Sequence, residues 1–136
     1  MEQEGIETFV SAMEYIEREE NFGYTFFFVG DDHRLSFVTI ANSDNEYDDV
    51  SNLDRDQVFR VNIGVSKETF TKLIGETDPE SVDYSALNVF LPHPHYARQN
   101  FISILNPAGE NVAKTKALIE EAYAIAAARY KRRTKE

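Results

Sequence analysis

In "VFRVNIGV", Val58 to Val65, apolar and polar residues alternate: Phe59, Val61, Ile63 and Val65 point one way, Arg60 and Asn62 the other. A period of two is the signature of a strand with one face on a core. The chain is therefore built on a sheet, and the segments on either side have to be fitted around this strand.

Upstream lie two more β-rich runs, "YTFFFV" from Tyr24 and "LSFVTI" from Leu35, joined by "GDDHR". They predict a hairpin with a five-residue loop. Between this hairpin and the alternating strand, "NSDNEYDDVSNLDRDQ" is polar and acidic and reads as a surface loop. At the N-terminal end, apolar residues recur at Ile6, Phe9, Val10, Met13 and Ile16, which predicts a helix from Gly5 to about Glu20, stopped by Gly23.

Downstream, Ser66 caps a short helix, "KETFTKLI", whose Phe70, Leu73 and Ile74 share a face and which ends at Gly75. "ETDPESVD" is a loop, "YSALNVFL" is ambiguous between a helical turn and a strand, and "NFISIL" is a strand. "NPAGE" turns into a last helix that runs to about Arg129, with Leu118, Ile119, Ala122, Ile125 and Ala126 on its apolar stripe. Short connections between neighbouring strands favour antiparallel pairing. The expected fold is a single α+β domain over residues 1–136, a two-layer sandwich with a mainly antiparallel sheet of four or five strands. The N- and C-terminal helices cover one face, and a solvated basic tail begins at about residue 130.

Composition narrows the function classes. The 136 residues contain no cysteine, which excludes disulfides, zinc fingers, iron–sulfur clusters and thiol nucleophiles. The opening "MEQEGIETFV" is acidic where a signal peptide would be basic, and no apolar run approaches a membrane span, so the expectation is a cytoplasmic protein without membrane contact. The net charge of −10 is uneven. From Lys114 onward seven basic and three acidic residues give +4, whereas Met1 to Ala113 has seven basic against twenty-one acidic, −14. A body that acidic repels phosphate backbones, so nucleic acid is not the expected partner; a contact would have to use the terminal "RYKRRTK".

The blocks "VFRVNIGVSKETF", "LNVFLPHPHYA" and "NFISILNP", followed by "EEAYAIAAARYKRR", resemble an uncharacterised bacterial domain family of unknown function. The resemblance covers roughly Arg55 to Arg133. A weaker similarity is to the fold of the YjbR-like proteins, for which DNA binding has been suggested. The resemblance implies a compact α+β domain and brings no reaction, cofactor or catalytic residue.

Three constellations could carry chemistry. In "LPHPHYARQNF", His93 and His95 have a metal-ligand spacing on a strand. Pro92 and Pro94 instead favour polyproline geometry, in which alternate residues diverge. A third ligand would have to come from His33 or the acidic loop. The preferred reading is a structural corner with locally hydrogen-bonded imidazoles, and no metal or other cofactor is expected. The acidic "DNEYDD" resembles the start of a calcium loop, but Asp49 stands where the turn glycine belongs and Arg55 where the bidentate glutamate belongs, so a solvated loop is expected. Third, Arg60 and Asn62 share a strand face and could bind an anion or polar ligand, completed by His93, His95, Tyr96 and Arg98.

No nucleophile elbow or phosphate-binding glycine loop is present. The leading expectation is a non-enzymatic binding domain. It would take a small polar ligand or a protein partner through the sheet's open face, or self-associate as a homodimer. The alternatives are a small-molecule or metal-dependent enzyme around His93 and His95, and a nucleic-acid module using the basic helix end.

Overall fold

The computed structural model describes residues 1–134. Six antiparallel strands form one open sheet in the order β1-β2-β3-β4-β6-β5: β1 Ile16–Asn21, β2 Tyr24–Val29, β3 Val38–Ala41, β4 Arg60–Gly64, β5 Phe90–Pro92 and β6 Phe101–Leu105. Helices α1 (Gln3–Ser11) and α3 (Glu110–Thr134) lie on one face, and α2 (Lys67–Leu73) connects β4 to the β5 region. No helix among the described residues is long and apolar enough to cross a membrane.

The alternation along each strand sorts the two faces. Phe27 and Val29 of β2, Val38 and Ile40 of β3, Val61 and Ile63 of β4, and Ile102 and Ile104 of β6 meet Ile6 and Val10 of α1 and Ile119, Ala122 and Ala126 of α3 in the main core. On the opposite face a smaller cluster of Ala41, Leu53, Val58, Leu91 and Leu105 forms where the loop after β3 folds back over the sheet. The rest of that face is left to the site described below.

The two-layer α+β architecture is the expected one, and the differences from it have physical causes. The first helix ends at Ser11 rather than near Glu20, and Ile16–Asn21 becomes a sixth strand, the charged edge of the sheet. Gly23 therefore does not stop a helix. Phe22 and Gly23, with φ of 52° and 82°, form the two-residue turn between β1 and β2, and two positive φ values are what a tight hairpin turn of matching twist requires. A charged edge of this kind disfavours pairing with another chain. In the ambiguous stretch only Phe90 and Leu91 reach a strand, β5, which runs on to Pro92. Ser66 caps α2 as expected, accepting from the Thr69 N–H, and Gly75 follows its end with φ +67°.

Helix α3 continues past Arg129 to Thr134. The end of the chain expected to be a basic tail is thus helical as far as Thr134, and Lys135 and Glu136 lie outside the described residues. Two of its groups turn to the loop after β2: Arg133 pairs with Asp32 at 3.3 Å and Tyr130 donates to Asp31 at 3.4 Å.

Candidate ligand-binding site

On the face away from the helices, one row across the sheet reads Phe26, Thr39, Asn62, Ser103 and Leu91, from β2 to β5. Small side chains in the middle of this row make a floor. The aromatic side chains of β2 (Tyr24, Phe26 and Phe28) stand along one side of it, their rings 5.8 and 6.4 Å apart in succession. Phe101, His93 and Tyr96 stand on the other side, with the His93 and Tyr96 rings 5.0 Å apart and the His93 and Phe101 rings edge-on at 6.1 Å. Gly64 belongs to the same face. A Cβ there would come within 2.9 Å of the Phe101 ring, so only glycine lets that ring lie down over β4. The result is a trough of about 890 Å³, open to solvent, with Tyr47, Leu35 and Gln99 on its rim.

Beneath the floor is a polar network held in one direction of hydrogen bonding. Arg60 is fully buried, with 0% of its surface exposed. Its Nη1 and Nη2 donate to the two oxygens of Asp48 at 3.0 and 2.5 Å, Nη1 also donates to Ser51 Oγ at 2.9 Å, and Nε donates to Asn62 Oδ1 at 2.8 Å. A two-pronged guanidinium–carboxylate pair of this kind is the strong form of the contact. Because Arg60 Nε–H can only donate, it fixes the Asn62 carbonyl toward itself, where Ser103 Oγ also donates at 2.8 Å. The Asn62 amide must then face Thr39 and donates to its Oγ1 at 2.9 Å. Tyr24 donates to Asp48 at 2.6 Å and accepts from Asn45.

Electrostatics follow from this packing. Burial alone would raise the Asp48 carboxyl, but the bonds from Arg60 and Tyr24 and the guanidinium charge overcome it and hold it at about 2. Burial, and then the charge of Arg60, push the His93 imidazole down to about 3, against the opposing pull of Asp48. His93 is accordingly neutral, and its geometry says which nitrogen carries the proton. Nδ1 accepts from the backbone N–H groups of His95 and Tyr96, each at 3.0 Å, so Nε2 bears the hydrogen. Nε2 makes no hydrogen bond among the described residues.

At the β1 end, the loop after β2 brings His33 back over the sheet. Its ring stacks on Phe28 at 4.2 Å, and its two nitrogens sit 2.8 Å from Glu19 and 2.7 Å from Glu17. With a carboxylate on each nitrogen the imidazolium is favoured: the Glu19 bond, and with it Glu17, raise His33 against a smaller desolvation effect.

Of the six residues picked out by sequence, the structure brings five together. Asn62, His93, His95 and Tyr96 line the trough, and Arg60 underlies it. Arg98 does not line the trough; it lies on an adjoining shallow surface between α2 and the turn after Pro92 with Phe70 and Tyr84, which His93 and His95 also border. Arg60 is not on a half-exposed polar face, as the alternation alone suggested, since the loop after β3 covers it. The same loop, expected to be solvated, supplies buried Asp48 and Ser51, with Asp48 only 4% exposed. The two histidines do not diverge. Their rings are 6.1 Å apart on one wall, and His95 Nε2 is 4.0 Å from Asp48 Oδ1. His93 Nδ1 does hydrogen-bond locally, accepting from the turn that follows Pro94. Among the described residues, no group of three or more His, Asp or Glu side chains is placed to hold a metal ion.

Sequence reasoning missed Asp48, Thr39, Phe26, Phe28 and Phe101. The signal for the aromatics was present in the strand alternation. A buried arginine needs a carboxylate, and the acidic loop before it was the place to look for one.

Among the curated proteins none matches this chain, and none of the solved structures does. The weaker similarity to the YjbR-like proteins finds no support in these comparisons. One family does match, over residues 1–135, well beyond the Arg55 to Arg133 span of the motif resemblance: the chain belongs to DUF6194, a family of unknown function.

Proposed function

We propose that this protein is a binding domain that takes a small, flat molecule into the trough on the open face of its sheet. The observation that carries the reading is a floor of Thr39 and Asn62 set between two rows of aromatic rings. A cleft with mostly apolar walls and a few fixed polar groups is the usual form of a small-molecule site. The walls match the faces of a planar ligand, and aromatic pairs add about 0.5–1.5 kcal/mol each beyond area burial. The polar groups beneath are already paired with one another, so the site is rigid before a ligand arrives, which lowers the ordering cost of binding.

The test is a thermal-shift and NMR screen of flat aromatic fragments, run on the native chain and on Tyr96→Ala. Tyr96 is 56% exposed at the wall, and its side chain holds no hydrogen bond that the fold depends on. Fragments that stabilise the native chain should bind Tyr96→Ala about three- to tenfold more weakly. A screen with no fragment affected by that substitution, or with no binder, contradicts the reading.

Self-association through the same face is the second reading, favoured by exposed Leu35, Tyr47 and Tyr96 around the trough, at 51%, 81% and 56%. It predicts concentration-dependent sedimentation that fragment binding abolishes. A chain that stays monomeric at high concentration rules it out.

A further inference from the structure

We propose that the ligand of the trough is a neutral flat molecule bearing hydrogen-bond acceptors, with a carbonyl-type oxygen seated on the hydroxyl of Thr39. The inference rests on the binding reading above and deepens it by naming what the polar floor selects.

Hydrogen-bond directions at the floor are fixed from Arg60 outward. Arg60 Nε fixes Asn62 Oδ1, which already accepts from Arg60 and Ser103. The Asn62 amide therefore donates to Thr39 Oγ1. A hydroxyl that accepts from an amide has its own hydrogen left to give. Among the described residues that hydrogen has no acceptor, although Thr39 is 92% buried and lines the trough. The second hydrogen of the Asn62 amide is in the same position.

On the wall, His93 is 6% exposed, spends Nδ1 on the turn, and turns Nε2–H away from that turn. Its depressed proton affinity agrees with the neutral tautomer. The strong acceptors are engaged. Asp48 takes Arg60 on both oxygens and Tyr24 on one, and its remaining flank faces His95 Nε2 at 4.0 Å. The buried side chains thus hold hydrogens without an acceptor on Thr39, Asn62 and His93, while the carboxylate and amide oxygens are taken, which matches carbonyl oxygens or ring nitrogens on the ligand.

Charge selects against ions. Arg60 is neutralised by Asp48, and His33 stands between Glu17 and Glu19. Arg34, which also lines the trough, is paired with Asp32 at 3.0 Å, so among the described residues an anion would meet the acidic β1 edge with no unpaired arginine at the trough. An organic ammonium would bring further donors to a floor where the hydrogens of Thr39 and Asn62 already lack acceptors.

Four probes on one ring system separate the possibilities: 2-acetylnaphthalene, 2-ethylnaphthalene, 2-naphthoate and 2-naphthylmethylamine. Each is titrated into the ¹⁵N-labelled full chain and followed through backbone amides and the His93 side-chain N–H. The acetyl compound is expected to bind about tenfold more tightly than each of the other three. Thr39→Val should cost the acetyl compound about five- to tenfold and leave the ethyl compound unchanged, while Thr39→Ser, which keeps the hydroxyl, restores binding. Equal affinities for all four probes overturn the inference and leave the binding reading standing. A preference for naphthoate or for the amine overturns it in favour of a charged ligand. Thr39→Val without effect on the acetyl compound overturns the role of Thr39. If no probe perturbs the trough, the binding reading falls with it.

Discussion

Asp48→Ala removes the only carboxylate among the described residues that pairs with the Arg60 guanidinium. Arg60 has no exposed surface, so the charge left behind cannot be met by bulk water. Breaking a buried pair by deleting one partner costs about 3–5 kcal/mol, most of it the penalty of the stranded charge. The Tyr24 hydroxyl loses its acceptor in the same step. For a domain of this size about 4 kcal/mol corresponds to a fall in Tm of roughly 10–17 °C. The cost belongs to the stranded charge, so removing both partners should be far milder. Arg60→Met combined with Asp48→Ala is expected to lie within about 2 kcal/mol of the native chain, giving a coupling of at least about 2 kcal/mol in a double-mutant cycle. Urea melts of the native chain, the two single variants and the double variant, followed by far-ultraviolet circular dichroism, supply all four corners. If Asp48→Ala costs under about 1 kcal/mol, or if the double variant is as unstable as the single one, the buried-pair account is wrong.

Two further outcomes follow from the same geometry. His93 is held neutral, with its proton affinity lowered from the ordinary 6.5 to about 3, so the unfolded chain binds a proton before the folded one does. Stability from this group is fully present above pH 6.5 and is lost as pH falls toward 3, at up to about 1.4 kcal/mol per pH unit. Asp48, lowered from 3.8 to about 2, adds its loss only below pH 3.8. Melts of the native chain and His93→Gln from pH 7 to 4 should therefore differ in slope, the variant being flatter; parallel slopes would refute the assignment. Gly64→Ala places a Cβ 2.9 Å from the Phe101 ring and should push that ring into the trough. The expected results are a loss of about 1–3 kcal/mol in stability and a marked ring-current change at His93 and Tyr96, read by proton NMR; unchanged shifts would mean that the ring does not lie over β4.

The strand at Arg60–Gly64 was legible because its period of two is local, and so was the sorting of Val61 and Ile63 to the core. Ile16–Asn21 was not. Its single apolar residue continued the helical spacing of Ile6, Phe9 and Met13, and what makes it a strand is pairing with β2, residue by residue from Ile16 opposite Val29 to Asn21 opposite Tyr24. Tertiary pairing of this kind overrides local preference. At the site, Arg60 and Asn62 could be placed on one face from sequence, but their burial depends on the path of the loop that carries Asp48 and Ser51. No periodicity encodes such a path. The His93 corner shows the same division: the prolines announced stiffness, while the turn that aims Nδ1 at two backbone N–H groups, and so leaves Nε2–H outside that turn, is set by the β5–β6 pairing around it.

The central claim is that the aromatic trough is where this protein binds. It is tested most directly by intermolecular nuclear Overhauser effects between a bound flat fragment and the protein's aromatic ring protons. The account predicts contacts to Phe26 and Phe28 on one wall and to Phe101 and Tyr96 on the other, from the same bound molecule. Contacts confined to residues of α3 or to the surface around Arg98, with none to either wall, would contradict it.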